Sequence, residues 1–390
     1  MRKYLIVNTG SVSAKYSIYS KEELFFGHFE IEEGKTIVTF FDKGQKGPGK
    51  TRGIEEEVFN DSLSYFIKEA INKKIIGSKD DISSIGIRVV SPGTYFQTDR
   101  AVDTTFVSNI TKQRDKAPLH IEVTLKEINN LKREFPNTPI IGISDSAYYK
   151  DEPEVSRYYA IPRKITEDLD LYHFGYHGIS VGSIINKIST KKLPGKIIVC
   201  HLGGGSSVVA VKDGKAFNTS MGYSPLEGLT MATRAGDIDP TAALYLGRKL
   251  GKNDIELQSY LNNECGLLGL SGVSSDVRDL IKVEKTNKDA KLALEKLTMS
   301  IKKYIGAFSA QMGGLDMIVF SGTIGERSFI MRGRICSELE YMGVKIDMAK
   351  NNKMEGVEGE INTKDSKVKV FIVLTDEMKD MAERLVKFEV

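Results

Sequence analysis

Three short apolar segments, spread along the chain, each run directly into a turn rich in Gly, Ser and Thr. The segments are residues 3–8, 197–200 and 317–320, and their turns occupy residues 9–15, 201–207 and 321–328. After the first two turns the pattern predicts a second strand, whereas after the third it predicts a helix. The recurrence of this strand-and-turn unit near the start of each half of the chain suggests an internal duplication.

The segments between these strands have helical periodicity. Apolar residues recur at helical spacing over residues 58–71 and 290–312, which predicts two helices that face a core. Asp239 and Pro240 form a helix start signal, and Gly251 is the matching stop signal. An Asp-Gly pair at 213–214 predicts a tight hairpin. Strands that alternate with helices predict an α/β protein.

Length and charge narrow the classes of protein. A chain of 390 residues suggests two or three domains, and we place a boundary near residue 150, where a polar stretch follows apolar residues 140–143. With 55 Lys and Arg against 52 Asp and Glu, the net charge is only +3. This balance argues against a protein that binds nucleic acid by neutralising many phosphates, but it leaves room for a small anionic ligand.

The cysteine pattern and the apolar segments bear on location. Cys200, Cys265 and Cys336 form no CxxC motif and cannot all pair with one another, which favours a reducing compartment. The first residues do not resemble a signal peptide, and no window of about 18 residues is apolar throughout. We therefore expect a cytoplasmic protein without a membrane segment.

One motif matches a phosphate-binding loop by pattern only. Residues 44–51 fit GxxxxGK[ST], but Pro48 lacks the backbone N–H that such a loop aims at a phosphate, and Gly53 would weaken the helix that must follow. We interpret the segment as an exposed basic loop between a strand and a helix.

His173 and His177 are four residues apart, a spacing that can present two zinc ligands on a helix. Gly175 lies between them, no Glu supplies the general base of an HExxH motif, and no cluster of Cys or carboxylates completes a site. Zinc is therefore not favoured, and taken alone each His is more consistent with a structural role.

Three further charged residues stand out by their surroundings. Arg88 lies within an apolar strand, where an unpaired guanidinium would be costly, so it needs an anion. Arg234 lies among small residues, and Asp145 follows an apolar strand. Each alone fits a buried ion pair equally well. Together with the Gly-rich turns they fit phosphoryl transfer, which requires phosphate cradles, cations and an oxygen ligand for Mg²⁺.

Seven motifs in order along the chain resemble those of acetate kinases, within the acetate/propionate kinase group of the actin-like and sugar-kinase superfamily. The resemblance covers nearly the whole chain. The motifs are residues 8–15, 117–120, 174–178, 201–206, 219–228, 233–240 and 266–272.

The resemblance implies two duplicated actin-like (ribonuclease H-like) domains with the active site in the cleft between them. The N-terminal domain would comprise residues 1–150 and a returning C-terminal helix within 376–390, and residues 151–375 would bind the nucleotide and form a homodimer. The implied reaction is Mg²⁺-dependent, reversible, in-line transfer of a phosphoryl group from ATP to acetate or a related short-chain carboxylate, with Mn²⁺ as an alternative metal.

The resemblance also implies roles for individual residues. The catalytic residues would be Arg88, Asp145, His177 and Arg234, and Asn8 and Glu377 would organise the metal. The substrate would contact Arg88, Val90, Leu119, Tyr176 and Pro225. The nucleotide would contact Ser11, Ser13, Lys15, His201, Gly203, Gly204, Gly205, Asp276, Arg278, Thr323, Ile324, Gly325 and Arg327.

Several positions depart from the pattern of the family. Gly204 stands where Asn is usual, Thr323 replaces Gly and Arg327 replaces Asn in the nucleotide motif, and Tyr176 replaces Phe beside the acyl chain. Residues 91–93 (Ser-Pro-Gly) replace His-Gly-Gly. These departures leave open another phosphoryl donor such as pyrophosphate, a different carboxylate, or a non-catalytic actin-like nucleotide-binding protein.

Overall fold

The computed structural model describes residues 2–10, 13–32, 34–43, 49–189 and 193–388, with the backbone alone described for Glu32 and residues 118–120. The chain divides into two compact units. The first comprises Met1–Ala147 and Asp376–Val390, and the second comprises Tyr148–Thr375. Within the described ranges, no helix is both long and apolar enough to cross a membrane.

The first unit contains a mixed sheet with the strand order β5-β4-β3-β2-β1-β6-β8-β7. β1 pairs antiparallel with β2 and parallel with β6, and β6 pairs parallel with β8. The strands are β1 (Lys3–Thr9), β2 (Ser13–Tyr19), β3 (Glu23–Glu32), β4 (Lys35–Asp42), β5 (Lys50–Gly53), β6 (Ile82–Val89), β7 (Arg100–Ala101) and β8 (Ile140–Ser144).

The first unit has a core rich in Phe and Ile, in which Phe25, Phe66 and Phe106 are buried. The helices of this unit are α1 (Glu56–Asn60), α2 (Ser62–Asn72), α3 (Thr104–Thr111), α4 (Pro118–Glu134) and, from the C-terminal end of the chain, α16 (Glu377–Phe388).

The second unit contains a sheet with the order β11-β10-β9-β12-β14-β13. β9 and β14 both pair parallel with β12, and β10 pairs antiparallel with β9 and β11. The strands are β9 (Lys196–Leu202), β10 (Ser206–Lys212), β11 (Lys215–Thr219), β12 (Met317–Ser321), β13 (Gly359–Glu360) and β14 (Lys369–Ile372).

The long helix α12 of the second unit buries an apolar face that includes Leu294, Leu297 and Ile301. The helices of this unit are α5 (Glu154–Arg157), α6 (Arg163–Leu169), α7 (Gly178–Ile188), α8 (Pro240–Leu250), α9 (Asp254–Asn263), α10 (Gly266–Ser271), α11 (Val277–Val283), α12 (Lys288–Met312), α13 (Gly322–Arg327), α14 (Phe329–Cys336) and α15 (Met348–Asn351).

The two sheets share one core topology. Both place three successive strands in the order third, second, first and continue with two parallel strands, β3-β2-β1-β6-β8 in one unit and β11-β10-β9-β12-β14 in the other. This confirms the predicted α/β class and the duplicated arrangement.

Local signals in the sequence located several elements. Asp213 and Gly214 have φ values of 50° and 80°, as a two-residue hairpin with left-handed central positions requires. Asp239 caps α8 by accepting the N–H of Ala242, and Gly251 ends the helix in a left-handed conformation.

Two expectations need correction. Residues 58–71 do not form one helix, because the chain breaks at Asp61 between α1 and α2. The basic segment does not lead from a loop into a helix either, since Lys50–Gly53 is an edge strand paired with β4. A phosphate-binding loop would require a helix there; residues 44–48 lie outside the described residues.

Candidate active site

Four polar side chains meet at one edge of the sheet in the first unit. Asn8 lies near the end of β1, Arg88 near the end of β6, and Asp145 directly after β8. Because these strands are parallel neighbours, their carboxyl ends lie at the same edge. Glu377, the first residue of α16, reaches this edge from the far end of the sequence.

The four side chains form a continuous run of hydrogen bonds. Arg88 Nη2 donates to Asp145 Oδ2 at 3.0 Å, and Arg88 Nη1 donates to Asn8 Oδ1 at 3.3 Å. Asn8 Nδ2 donates to Glu377 Oε2 at 3.0 Å. Since Asp145 is only 1% exposed, its carboxylate depends on Arg88 for charge compensation.

Arg88 keeps its charge and retains an unused donor. Burial opposes the charged form, but the carboxylates of Asp145 and Glu377 outweigh it and raise the pKa of Arg88 above its ordinary value. The Nε–H of Arg88 is buried and has no hydrogen-bond partner among the described residues. An anionic oxygen would satisfy this donor.

The donor set around Asn8 suits a hard divalent cation. The amide oxygen of Asn8 and the carboxylates of Glu377 and Asp145 are the kind of oxygen ligands that Mg²⁺ prefers. Among the described residues, no group of three or more His, Cys, Asp or Glu is arranged to hold a metal. A cation here would therefore take part of its coordination from water and phosphate, as Mg²⁺ commonly does.

Ser13 and Lys15 lie on the same face as this group. Lys15 stands directly opposite Asn8 in the antiparallel pair of β2 and β1, and directly opposite residues share a face. Ser13 is two residues earlier on β2 and so faces the same way. Ser11 lies outside the described residues.

Two histidine rings pack together in the second unit. His177 and His201 have ring centroids 4.4 Å apart. His177 Nδ1 lies 3.0 Å from Ser207 Oγ, and His201 Nδ1 lies 2.8 Å from Ser180 Oγ. Both serines are fully buried, so each His is held through Nδ1. Nothing in the local sequence around Ser180 and Ser207 links them to a histidine, so the sequence alone does not reveal these contacts.

The Gly-rich turn brings Arg234 close to His177. A Cβ added to Gly205 would lie 3.4 Å from both Arg234 Nη1 and His177 Nε2. Arg234 Nη1 also donates to the carbonyl of Pro225 at 3.3 Å. The second unit therefore gathers a guanidinium, an imidazole and the backbone of residues 203–205, whose turn is closed by Ser206 Oγ. Such a group is suited to bind phosphoryl oxygens.

The residues predicted to line the acyl chain divide between the two units. Tyr176 is buried, and its hydroxyl donates to the carbonyl of Tyr223 at 2.8 Å, so the phenol is satisfied within the protein. Pro225 is buried nearby in the same turn, whereas Val90 is half-buried and follows β6 in the first unit. The side chain of Leu119 lies outside the described residues.

His173 and His177 have different partners. His173 Nε2 lies 3.4 Å from Glu227 Oε1. Burial by itself would raise the pKa of Glu227, but the hydrogen bond and the charge of His173 outweigh burial and lower this pKa. His177 instead contacts Ser207. The two histidines are therefore not arranged as a ligand pair.

A cavity of about 740 Å³ in the first unit lies elsewhere. Its walls include Tyr19, Glu23, Lys379 and Lys387, and none of the predicted site residues lines it. Four basic and four acidic side chains line it together, a mixture that favours no one class of ligand.

Comparison with known proteins decides the family. The model of the acetokinase family matches residues 3–383. The chain belongs to the acetokinase family. It is 38% identical to the acetate kinase of Clostridium botulinum (strain Okra / Type B1), over 96% of each chain.

Solved structures agree with this assignment. The acetate kinase of Porphyromonas gingivalis superposes with a TM-score of 0.86 at 30% identity, over 100% of both chains. A propionate kinase from Francisella tularensis superposes with a TM-score of 0.84 at 32% identity, over 98% of this chain and 99% of that one. Acetokinase-family structures thus share the fold of the whole chain.

Three of the residues that depart from the acetokinase pattern, Gly204, Thr323 and Arg327, are exposed, whereas Tyr176 and residues 91–93 are buried. A Cβ on Gly204 would meet no atom within 4 Å, so this position has room for the side chain that is usual in the family. Thr323 and Arg327 lie on α13 with exposed side chains, beside half-buried Ile324 and buried Gly325. The substitutions change the surface of this motif and leave its packing intact.

Asp276 and Arg278, predicted to line the nucleoside, bind each other. Arg278 Nη2 donates to Asp276 Oδ2 at 2.6 Å, and Asp276 also caps α11 by accepting the N–H of Arg278. The hydrogen bond from Arg278 lowers the pKa of Asp276. Asp276 therefore has much of its acceptor capacity in use within the protein.

Proposed function

We propose that the chain is a carboxylate kinase that transfers a phosphoryl group reversibly from ATP to acetate, giving acetyl phosphate and ADP. Membership of the acetokinase family supports this reaction. The observation that carries the assignment of the site is Arg88, a guanidinium paired with Asp145 whose buried Nε–H has no partner among the described residues.

The chemistry fits the groups that are present. A carboxylate oxygen of acetate attacks the terminal phosphorus of ATP, the bond from that phosphorus to the bridging oxygen breaks, and its electron pair remains on ADP. Acetate is already ionised at neutral pH, so no general base is required. The task of the protein is to orient the reactants and to stabilise the charge on the transferred group.

We assign this task to the polar side chains around Arg88 and to those around Arg234. Arg88 would bind the carboxylate and the phosphoryl group, and Asp145 would keep Arg88 charged and oriented. Arg234 and His177 would donate to the phosphoryl oxygens, while the turn at 203–205 would hold the remaining phosphates. Asn8 and Glu377 would hold Mg²⁺, which when bound neutralises and orients the phosphate oxygens.

The acceptor, the oligomeric state and the cellular location are also proposed. We propose acetate as the preferred acceptor and propionate as the second candidate, because one structural relative is a propionate kinase. A homodimer is proposed from the family resemblance. A cytoplasmic location is proposed from the free cysteines Cys200, Cys265 and Cys336, which suit a reducing compartment.

A trapping assay tests the reaction. Acyl phosphate is captured as the hydroxamate with hydroxylamine, using acetate, propionate and butyrate in turn with ATP, GTP and pyrophosphate. Fastest turnover with acetate and ATP is expected. Turnover only with pyrophosphate would show that pyrophosphate is the phosphoryl donor. Nucleotide binding without turnover for any pair would favour the non-catalytic alternative.

Arg234→Ala tests the assignment of residues. Removing a cation that stabilises a transition state should lower kcat by about 10²- to 10³-fold or more. Arg163→Ala is the matched control, because Arg163 is 65% exposed and bridges Glu167 on a surface helix of the same unit. If Arg234→Ala keeps the activity of the control variant, the assignment is wrong.

A further inference from the structure

An ion pair between Asp99 and Arg384 binds the backbone beside Asp145. Arg384 Nε donates to Asp99 Oδ2 at 3.0 Å, and Arg384 Nη2 donates to the second oxygen of the same carboxylate. Nη2 also donates to the carbonyl of Ser144 at 2.9 Å, and Asp99 Oδ1 accepts the N–H of Ser144 at 2.9 Å. One ion pair therefore holds both backbone polar groups of the residue that precedes Asp145.

The remaining backbone around Asp145 is fixed as well. The N–H of Asp145 donates to the carbonyl of Val89 at 2.9 Å, and the N–H of Ser146 donates to Ser144 Oγ at 3.1 Å. Arg384 and Asp99 are each only 18% exposed, so water competes little with their two-pronged contact. The position of the Asp145 carboxylate, and with it that of Arg88, is set by this frame.

The same ion pair fixes the helix that carries Glu377. Arg384 lies seven residues after Glu377 on α16. Seven residues are close to two helical turns, so both side chains leave the helix on the same side. Any shift or rotation of α16 that moves Arg384 away from Asp99 must also move Glu377 relative to Asn8.

We infer that Asp99 and Arg384 are a positioning pair, which holds Asp145 and Glu377 in the geometry that binds the metal and orients Arg88. The pair contacts the backbone of Ser144, and in the proposed site other residues bind the substrates. The inference rests on the proposed function, because it assigns the carboxylates of Asp145 and Glu377 to phosphoryl transfer. The alternative is a purely structural tie between α16 and the sheet.

Two mild variants test the inference. Arg384→Lys keeps the charge but loses the two-pronged contact, and Asp99→Asn keeps the shape but loses the charge. We expect kcat to fall by roughly tenfold to a hundredfold in each, with the Mg²⁺ concentration for half-maximal activity rising by a similar factor. Melting temperatures should stay close to that of the parent protein.

A binding measurement separates this inference from the proposed function. Mn²⁺ is titrated into the parent protein and both variants in the presence of ATP, and the free Mn²⁺ is followed by electron paramagnetic resonance. Weaker Mn²⁺ binding in the folded variants is expected whether or not acetate is the substrate. An inactive parent protein would refute the proposed function, whereas unchanged Mn²⁺ affinity would refute the positioning role.

Lys73→Ala is the control for loss of an ion pair in the same unit. Lys73 follows α2 and binds Asp42 of β4 at 2.8 Å, on elements that carry none of the four polar residues. This variant should keep the kcat and Mn²⁺ affinity of the parent.

If the Arg384 and Asp99 variants lose activity only in proportion to lost folded protein, the pair is structural and the inference fails. Where one variant does not fold, the other decides.

Discussion

Glu152 is a buried carboxyl group that makes the stability of the second unit depend on pH. The residue is 5% exposed, and neither carboxyl oxygen has a hydrogen-bond partner among the described residues. Burial raises the pKa of Glu152 from 4.5 to about 8, and the charge of Arg157 opposes this rise only in part. Glu152 is therefore protonated in the folded protein at neutral pH.

The direction of the effect follows from proton binding. Below pH 4.5 both the folded and the unfolded protein hold the proton, so no penalty arises. Between pH 4.5 and about pH 8 the unfolded chain releases the proton while the folded protein keeps it, and stability falls as the pH rises. Each pKa unit corresponds to about 1.4 kcal/mol, so the full loss of stability above that range is on the order of 5 kcal/mol.

Glu152→Gln keeps the shape of the side chain and removes the titration. The buried amide has about the same polar cost as a protonated carboxyl group, at every pH. We expect the variant to match the parent protein near pH 5 and to exceed it in free energy of unfolding by a few kcal/mol above pH 8. Urea unfolding at a series of pH values, followed by a probe in the second unit, measures the difference.

Glu154→Gln is the matched control. Glu154 lies two residues further along and its side chain is 71% exposed, so this variant should follow the parent protein at every pH. A difference between Glu152→Gln and the parent that stays constant from about pH 5 to about pH 9 would refute the argument, because the carboxyl group would then titrate alike in both states.

Three further substitutions test separate features. Gly175→Ala should lower the free energy of unfolding by about 2–4 kcal/mol, since Gly175 has a φ of 74° and the new Cβ would overlap the Tyr149 ring. An unchanged melting temperature would contradict this. Ser207→Ala should lower kcat by roughly tenfold and alter the pH profile, because His177 loses its partner at Nδ1; an unaltered profile would rule out this role. Arg332→Met should lower the free energy of unfolding in urea by about 3 kcal/mol, because burial lowers the pKa of the guanidinium to about 10 and the group donates to the carbonyl of Gly325. Since Gly325 belongs to the predicted nucleotide motif, the variant should also bind ATP more weakly in a titration. ATP affinity equal to that of the parent would argue against the link to the nucleotide.

Local signals sufficed where a few neighbouring residues decide the outcome. The Asp213-Gly214 hairpin, the Asp239 cap and the apolar strands that precede each Gly-rich turn all depend on backbone preferences or on hydrogen bonds within a few residues. The same reasoning failed for residues 50–53, which form a strand because β4 offers a free edge 10 to 16 residues away. Strand formation depends on the partner as much as on the segment itself.

For the proposed site, the sequence by itself singled out Arg88 and Asp145 as candidates, because a charge beside apolar neighbours must find a partner or a ligand. It also carried enough motifs to place the chain among acetate kinases. Only the tertiary structure decided which groups meet. Arg88 and Asp145 are 57 residues apart and Asn8 and Glu377 are 369 apart, and the order of the strands and the return of α16 bring them within hydrogen-bond distance. Asp99 and Arg384 have unremarkable sequence surroundings. Their role follows from burial and from two-pronged contact across the fold, which no local pattern encodes.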